Sequence, residues 1–69
     1  MITLEQIQVR LVEAIKQSGL SQTAIAKQIG VCQQAISSYV KRDKMPALDT
    51  LANLCVVLDL DANEILCIK

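Results

Sequence analysis

The sequence predicts one all-α domain of five short helices, spanning residues 1–69. Three observations support this fold class. Apolar residues recur at helical spacing along most of the chain. A glycine divides the most regular of these segments into two stretches, as expected of two helices joined by a tight turn. A 69-residue chain with 52% hydrophobic residues buries only about 60% of its unfolded surface, which favours helices with short loops.

The first helix is predicted after Thr3, which forms a capping-box pattern with Gln6. Gly19 is expected to end this helix, with Leu20 folding back onto it. The apolar positions of the helix are Leu4, Ile7, Leu11, Ala14 and Ile15.

Residues 22–41, with the sequence QTAIAKQIGVCQQAISSYVK, form the most regular segment. Ser21 is positioned to cap the first of its two helices. Ala26 is small enough to lie where two helices cross, and Gly30 tolerates the positive φ of the turn. The other apolar positions are Ile25, Ile29, Val31, Ile36 and Tyr39.

Two further helices are predicted after Pro46, which stops any helical continuation of the central segment. The fourth helix is defined by Leu48, Leu51, Ala52, Cys55 and Leu58. The fifth opens with a capping box formed by Asp61 and Glu64 and runs through Leu66. We expect Leu60, Ile65 and Leu66 to close the core.

The second helix of the central segment, at about residues 32–41, keeps a polar outer face with no acidic residue. Its side chains offer hydrogen-bond donors and acceptors, which suits a helix lying in the major groove of DNA. The candidate base-contacting residues are Gln33, Gln34, Ser37 and Ser38.

The formal net charge is zero, but the charges are unevenly distributed. Residues 14–44 hold five basic residues and one acidic residue, whereas the remainder holds two basic and six acidic residues. Such a distribution allows one face to approach phosphate while another stays solvated or meets a partner. The alternative explanation is a chance imbalance on solvated faces. The five basic residues are Lys16, Lys27, Lys41, Arg42 and Lys44.

Composition argues against several other functions. One Tyr with no Trp or Phe disfavours single-strand binding through stacked bases. The chain has no His and no CxxC motif, and no acid–base pair is evident, so we expect no enzyme activity, metal or cofactor. No signal peptide or long apolar run is apparent. We therefore expect a cytoplasmic protein without a membrane partner or small-molecule ligand.

Residues 11–66 resemble the phage repressor and Cro-type helix-turn-helix domains, also described as xenobiotic-response-element-like regulators. The run SQTAIAKQIGVCQQAIS is similar to the family pattern SQxxLAxxxGVSxxxIS. Met45-Pro46 with LDTLANL resembles the opening of the family's fourth helix, and LDLDANEIL resembles its last segment. Three matched segments in the same order are far more specific than one helix-turn-helix pattern.

The resemblance implies a lambda-repressor-like fold in which helices 2 and 3 form the helix-turn-helix. It implies a sequence-specific regulator of transcription that binds double-stranded DNA, and we expect a repressor. It also implies that Gln22 contacts a DNA phosphate. Basic residues beside the groove are expected to bind further phosphates, namely Lys27, Lys41, Arg42 and Lys44.

Two residues depart from the family pattern. Cys32 occupies a cap position where Ser or Thr is usual, so we expect a poorer cap. Arg42 occupies a position where Gly often ends the recognition helix in a left-handed turn. Because Arg adopts that conformation at a cost, we expect either a longer helix or a left-handed residue displaced to Asp43.

A palindromic operator bound by a homodimer is expected, because one recognition helix reads too few base pairs to select a site. The expected dimer surface comprises Val56, Val57, Leu60, Ile65, Cys67 and Ile68. Two alternatives remain open. In the first alternative, most of these residues belong to the core and two monomers pair only on DNA. In the second, Cys67 forms a disulfide between two chains, which a reducing cytoplasm disfavours.

The alternative function is a protein-binding module on the same fold, such as an antitoxin or adaptor. The zero net charge favours this alternative, whereas the basic middle of the chain and the polar helix face favour DNA binding.

Overall fold

The computed structural model describes residues 1–68, and the regular structure within them consists of five α-helices without a strand. The predicted all-α, five-helix fold is therefore confirmed. The helices are α1 Leu4–Gln17, α2 Gln22–Ile29, α3 Gln33–Val40, α4 Leu48–Val57 and α5 Ala62–Ile65.

Capping side chains begin three of the helices at the predicted residues. The Thr3 hydroxyl accepts a hydrogen bond from the Gln6 amide at 3.3 Å, while Gln6 Oε1 accepts one from the Thr3 amide at 2.9 Å. Ser21 Oγ accepts from the Ala24 amide at 3.1 Å, and Asp61 accepts from the Asn63 amide at 3.0 Å. These bonds satisfy amides that the helix itself leaves without partners.

The core lies where α2 meets α3 and α4, and where α1 packs against α3 and α5. The helix-turn-helix contributes Ile25, Ala26, Ile36 and Tyr39, all buried as predicted. Gly30 ends α2 with a φ of 76°, in the left-handed region, which explains why glycine suits this turn. The remaining buried residues are Leu11, Ile15, Leu51, Leu54 and Ile65.

The buried side of α4 differs from the prediction. Leu54 is fully buried, whereas Leu48 and Ala52 are exposed. At about 100° per residue, the three leucines of α4 lie within one arc of about 120°, and Ala52 and Val56 extend the apolar surface beyond Leu48. Spacing alone did not identify which part of this surface faces α2. Leu20, which was expected to fold back onto α1, is 41% exposed, and its amide donates to Ser18 Oγ at 3.2 Å.

Helix α3 ends in a turn that neither of our alternatives described. The helix is not longer than predicted, and the left-handed residue is Arg42 itself, with a φ of 63°. The Asp43 amide donates to Ser38 O at 3.0 Å and the Arg42 amide donates to Tyr39 O at 3.1 Å. These two bonds form the helix closure that usually has glycine at this position. They hold Arg42 in the left-handed conformation, which costs a residue other than glycine about 1–2 kcal/mol.

Candidate nucleic-acid interface

The outer face of α3 collects the predicted base-contacting residues. At about 100° per residue, they and Lys41 fall within an arc of about 140°, opposite the buried Ile36 and Tyr39. Gln33 and Gln34 are exposed in the first turn, while Ser37 and Ser38 are half-buried one turn later. Every side chain in this arc carries a hydrogen-bonding group and none is acidic. The four residues predicted from the sequence to contact bases, Gln33, Gln34, Ser37 and Ser38, therefore share one face of α3.

Two glutamines connect the helices of the helix-turn-helix. Gln33 Nε2 donates a hydrogen bond to Gln22 Oε1 over 2.9 Å. A side-chain amide has two N–H donors and an oxygen acceptor. Gln33 therefore keeps its oxygen and one N–H free, and Gln22 keeps both of its N–H groups. The sequence predicts a separate role for each glutamine and no bond between them. Their positions on either side of the turn were the one indication that the two side chains could meet.

The predicted phosphate-binding residues after α3 are all exposed: Lys41 caps the helix, and Arg42 and Lys44 lie in the following loop. This loop contacts α1, since Gln8 Nε2 donates to the Arg42 carbonyl at 3.5 Å. Its cations lie close together in chain order, with Asp43 the one acidic residue among them. The loop thus forms a basic border beside the polar face of α3.

Lys16 joins this basic border in the structure. A shallow groove between α1 and the end of α3 is lined by three valines and by the charged residues Glu13, Lys16, Lys41 and Arg42. Lys16 is one of the five basic residues in the middle of the chain but is not among the phosphate contacts predicted from the sequence. Only the packing of α1 against α3 brings it to the end of α3.

Lys27 is exposed but stands apart from the other candidates. It follows Gln22 by five residues on α2 and therefore points about 140° away from it around the helix. Because Gln22 faces α3 through its bond to Gln33, Lys27 points to a different side of the domain.

The residues expected to form the dimer surface do not form a single exposed patch. Ile65 is only 5% exposed and belongs to the core. Val57, Leu60 and Cys67 are half-buried. Only Val56 and Ile68 are exposed.

Among residues 1–68, the structure has no helix long and apolar enough to cross a membrane. The same part of the chain contains no group of three or more His, Cys, Asp or Glu residues placed to hold a metal ion.

One family model, described as helix-turn-helix, matches residues 11–65. No curated protein and no solved structure matches the chain significantly. The matched range includes α2, the turn and α3, together with the second half of α1 and all of α4 and α5. The chain belongs to the Cro/repressor-type, xenobiotic-response-element family of helix-turn-helix DNA-binding domains.

Proposed function

We propose that this helix-turn-helix regulator recognises a specific double-stranded DNA sequence and represses transcription by occupying a palindromic operator as a homodimer. Helix α3, with its capping residues, is the recognition helix and enters the major groove. The observation that carries this proposal is the polar outer face of α3, which presents Gln33 and Gln34 in the first turn. Exposed glutamines in that position can hydrogen-bond base edges.

The bond between Gln33 and Gln22 supports different roles for the two side chains, one at a base and one at a phosphate. The free oxygen and free N–H of Gln33 match the N6 donor and N7 acceptor of adenine. The two free N–H groups of Gln22 can donate to a phosphate oxygen at the N-terminus of α2. One hydrogen bond of 2.9 Å thus fixes a base-reading side chain against a backbone-contacting one.

The basic border supplies affinity that does not depend on sequence. Lys16, Lys41, Arg42 and Lys44 each carry a cation that can neutralise a phosphate and release condensed counterions. Lys27 remains a separate phosphate candidate on another side of α2. Operator binding then depends on both the phosphate contacts and the base contacts. The phosphate contacts set the position of the protein along the duplex, and the base contacts set its sequence preference.

The proposal is tested by selecting bound sequences from a pool of random duplexes and titrating the selected duplex by fluorescence anisotropy at several salt concentrations. We expect one enriched palindromic sequence, bound roughly 10³-fold or more tightly than scrambled duplex. Binding should weaken steeply with salt because several phosphates are neutralised.

A protein-binding module on the same fold is the second candidate, favoured by the zero net charge of the chain. It predicts no enrichment and equal, weak binding to all duplexes. The same titration therefore separates the two functions.

A further inference from the structure

The outer face of α4 carries apolar side chains that the domain itself leaves uncovered. Leu48 is 85% exposed and Val56 is 80% exposed, with the exposed Ala52 between them. These three residues, the α4 stripe, are spaced by four and so follow one another along one side of the helix. Leu51 and Leu54 point into the core from the other side.

We propose that the α4 stripe is the surface through which two copies of this chain pair, with their α4 helices antiparallel about a two-fold axis at Ala52. This inference rests on the proposed homodimeric binding of an operator and assigns its interface. It replaces the surface expected from the sequence, of which Val56 alone belongs to the stripe.

The order of sizes along the stripe makes it complementary to itself, as a two-fold interface requires. With the axis at Ala52, Leu48 of one copy lies against Val56 of the other, and this contact occurs twice. The small Ala52 at the centre lets the two helices approach closely, because interaxial distance depends on the side chains at the crossing.

The charges at the two ends of α4 are also complementary in this arrangement. Lys44 precedes the helix and Asp59 follows it, and both are exposed. Antiparallel pairing brings the start of α4 in one copy beside its end in the other. Each Lys44 then approaches the opposite Asp59, while a parallel arrangement would bring like charges together. The stripe itself is uncharged, and the polar Asp49 and Asn53 flank it as an interface rim.

Pairing through α4 leaves the polar arc of α3 uncovered. Helices α3 and α4 both pack on α2, and the α4 stripe points away from the core on which α4 rests. The polar arc of α3 belongs to a different helix and stays open to the major groove. Because Lys44 also belongs to the basic border, the tests below leave Lys44 unchanged.

Sedimentation equilibrium without DNA, in reductant, tests the interface with a matched pair of variants. Leu48 and Leu4 are both the first residue of a helix, and Leu4 is 60% exposed. Aspartate is favourable in the first turn of either helix, so both variants should keep their circular-dichroism spectra. We expect Leu48→Asp to weaken dimerisation at least about tenfold and Leu4→Asp to change it less than about twofold.

Two further variants define the ends of the surface. Asp59→Asn keeps a residue type that tolerates the left-handed conformation of this position, where φ is 54°. It should weaken dimerisation by about twofold to fivefold, because it removes the charge opposite Lys44. Ile68→Asp, on the competing tail surface, should have little effect. A wild-type chain that stays monomeric at high micromolar concentration would overturn the proposal, as would dissociation by Ile68→Asp instead of Leu48→Asp.

Cross-linking tests the position of the two-fold axis. In a Cys32→Ser, Cys67→Ser background, Ala52→Cys places a thiol at the axis. We expect mild oxidation to give a covalent dimer of this variant, since paired residues at a close helix crossing come within disulfide range. Burial, together with the Asp61 carboxylate, raises the pKa of the remaining Cys55 thiol, so the background should react slowly. Equal cross-linking of variant and background would place the axis elsewhere.

A half-site duplex distinguishes failure of the interface from failure of the proposed function. Leu48→Asp should bind one half-site within about twofold of wild type at equal monomer concentration, because α3 is unchanged. If neither protein binds duplex DNA, the proposed function fails, and sedimentation still decides whether the α4 stripe is an interface.

Discussion

Gln33 of α3 donates a side-chain hydrogen bond to Gln22 of α2 over 2.9 Å. This bond joins a residue predicted to read a base with one predicted to contact a phosphate. Both amides retain hydrogen-bonding groups for a ligand. In the proposed complex, this bond would hold the Gln33 side chain in place before DNA arrives and so reduce the ordering cost of binding.

Gln22→Ala should therefore lower operator affinity by more than the loss of one phosphate contact. We expect the Gln22→Ala and Gln33→Ala variants to be coupled by about 0.5–1.5 kcal/mol in a double-mutant cycle of operator binding. Anisotropy titrations of the four proteins provide the cycle, and Thr23→Ala on the same helix turn is the control. Strictly additive effects would mean that the bond does not position Gln33.

The basic border should control the salt dependence of binding. Replacing Lys41, Arg42, Lys44 or Lys16 by Gln should each reduce the slope of log affinity against log salt by about one unit and weaken binding to all duplexes alike. Lys27→Gln should have a smaller effect, because Lys27 points away from the α3 side of Gln22. A residue whose replacement leaves the slope unchanged does not neutralise a phosphate.

Arg42→Gly should change stability and DNA binding in opposite directions. Glycine relieves the left-handed strain at φ 63°, so we expect the free energy of unfolding to rise by about 0.5–1 kcal/mol. Loss of the cation should lower DNA affinity at the same time. Lys41→Gly is a matched control, since Lys41 has φ −78° and glycine there should destabilise the domain. Urea denaturation and anisotropy supply the two readouts.

If Arg42→Gly destabilised the domain, then the turn would depend on the arginine side chain rather than tolerating its backbone strain. The account would also be contradicted if the variant became more stable without any loss of DNA affinity, because the strain would then serve no binding function.

The helix crossing should be sensitive to added volume. Ala26 is 3% exposed beneath α3, so Ala26→Leu should lower the free energy of unfolding by roughly 1–3 kcal/mol. Gly30→Val should also destabilise the domain because its φ of 76° is unfavourable for a β-branched residue. Ala24→Leu on the half-buried side of α2 is the comparison. Thermal melts unchanged at both sites would mean that the turn is built differently.

Local patterns predicted most of the fold because the starts of α1, α2 and α5 carry capping side chains and the apolar spacing is helical. Thr3, Ser21 and Asp61 cap the helices as expected, and Ile25, Ala26 and Ile36 are buried as expected. The errors arose where two physical solutions were equally compatible with the pattern. Apolar residues occupy more than half of the circumference of α4, and packing on α2 buries Leu54 while Leu48 stays exposed.

The shared face of the candidate base-contacting residues could be predicted from the sequence, but the contacts between elements could not. Helical spacing gathered Gln33, Gln34 and Ser38 on one face without any structure. The bond from Gln33 to Gln22 and the approach of Lys16 to the end of α3 depend on how helices pack across a turn. The expected conformation of Arg42 was wrong. The prediction included the cost of about 1–2 kcal/mol for a left-handed arginine, but not the two backbone hydrogen bonds that offset this cost.

The central claim is that the first turn of α3 reads bases. The most direct measurement is selection from random duplexes by wild type, Gln33→Ala and Gln34→Ala in parallel, followed by titration of each selected duplex. We expect each variant to lose about 1–3 kcal/mol on the wild-type operator and to accept any base at one position per half-site. Binding to scrambled duplex should stay unchanged. Identical selected sequences and affinities for all three proteins would contradict the account.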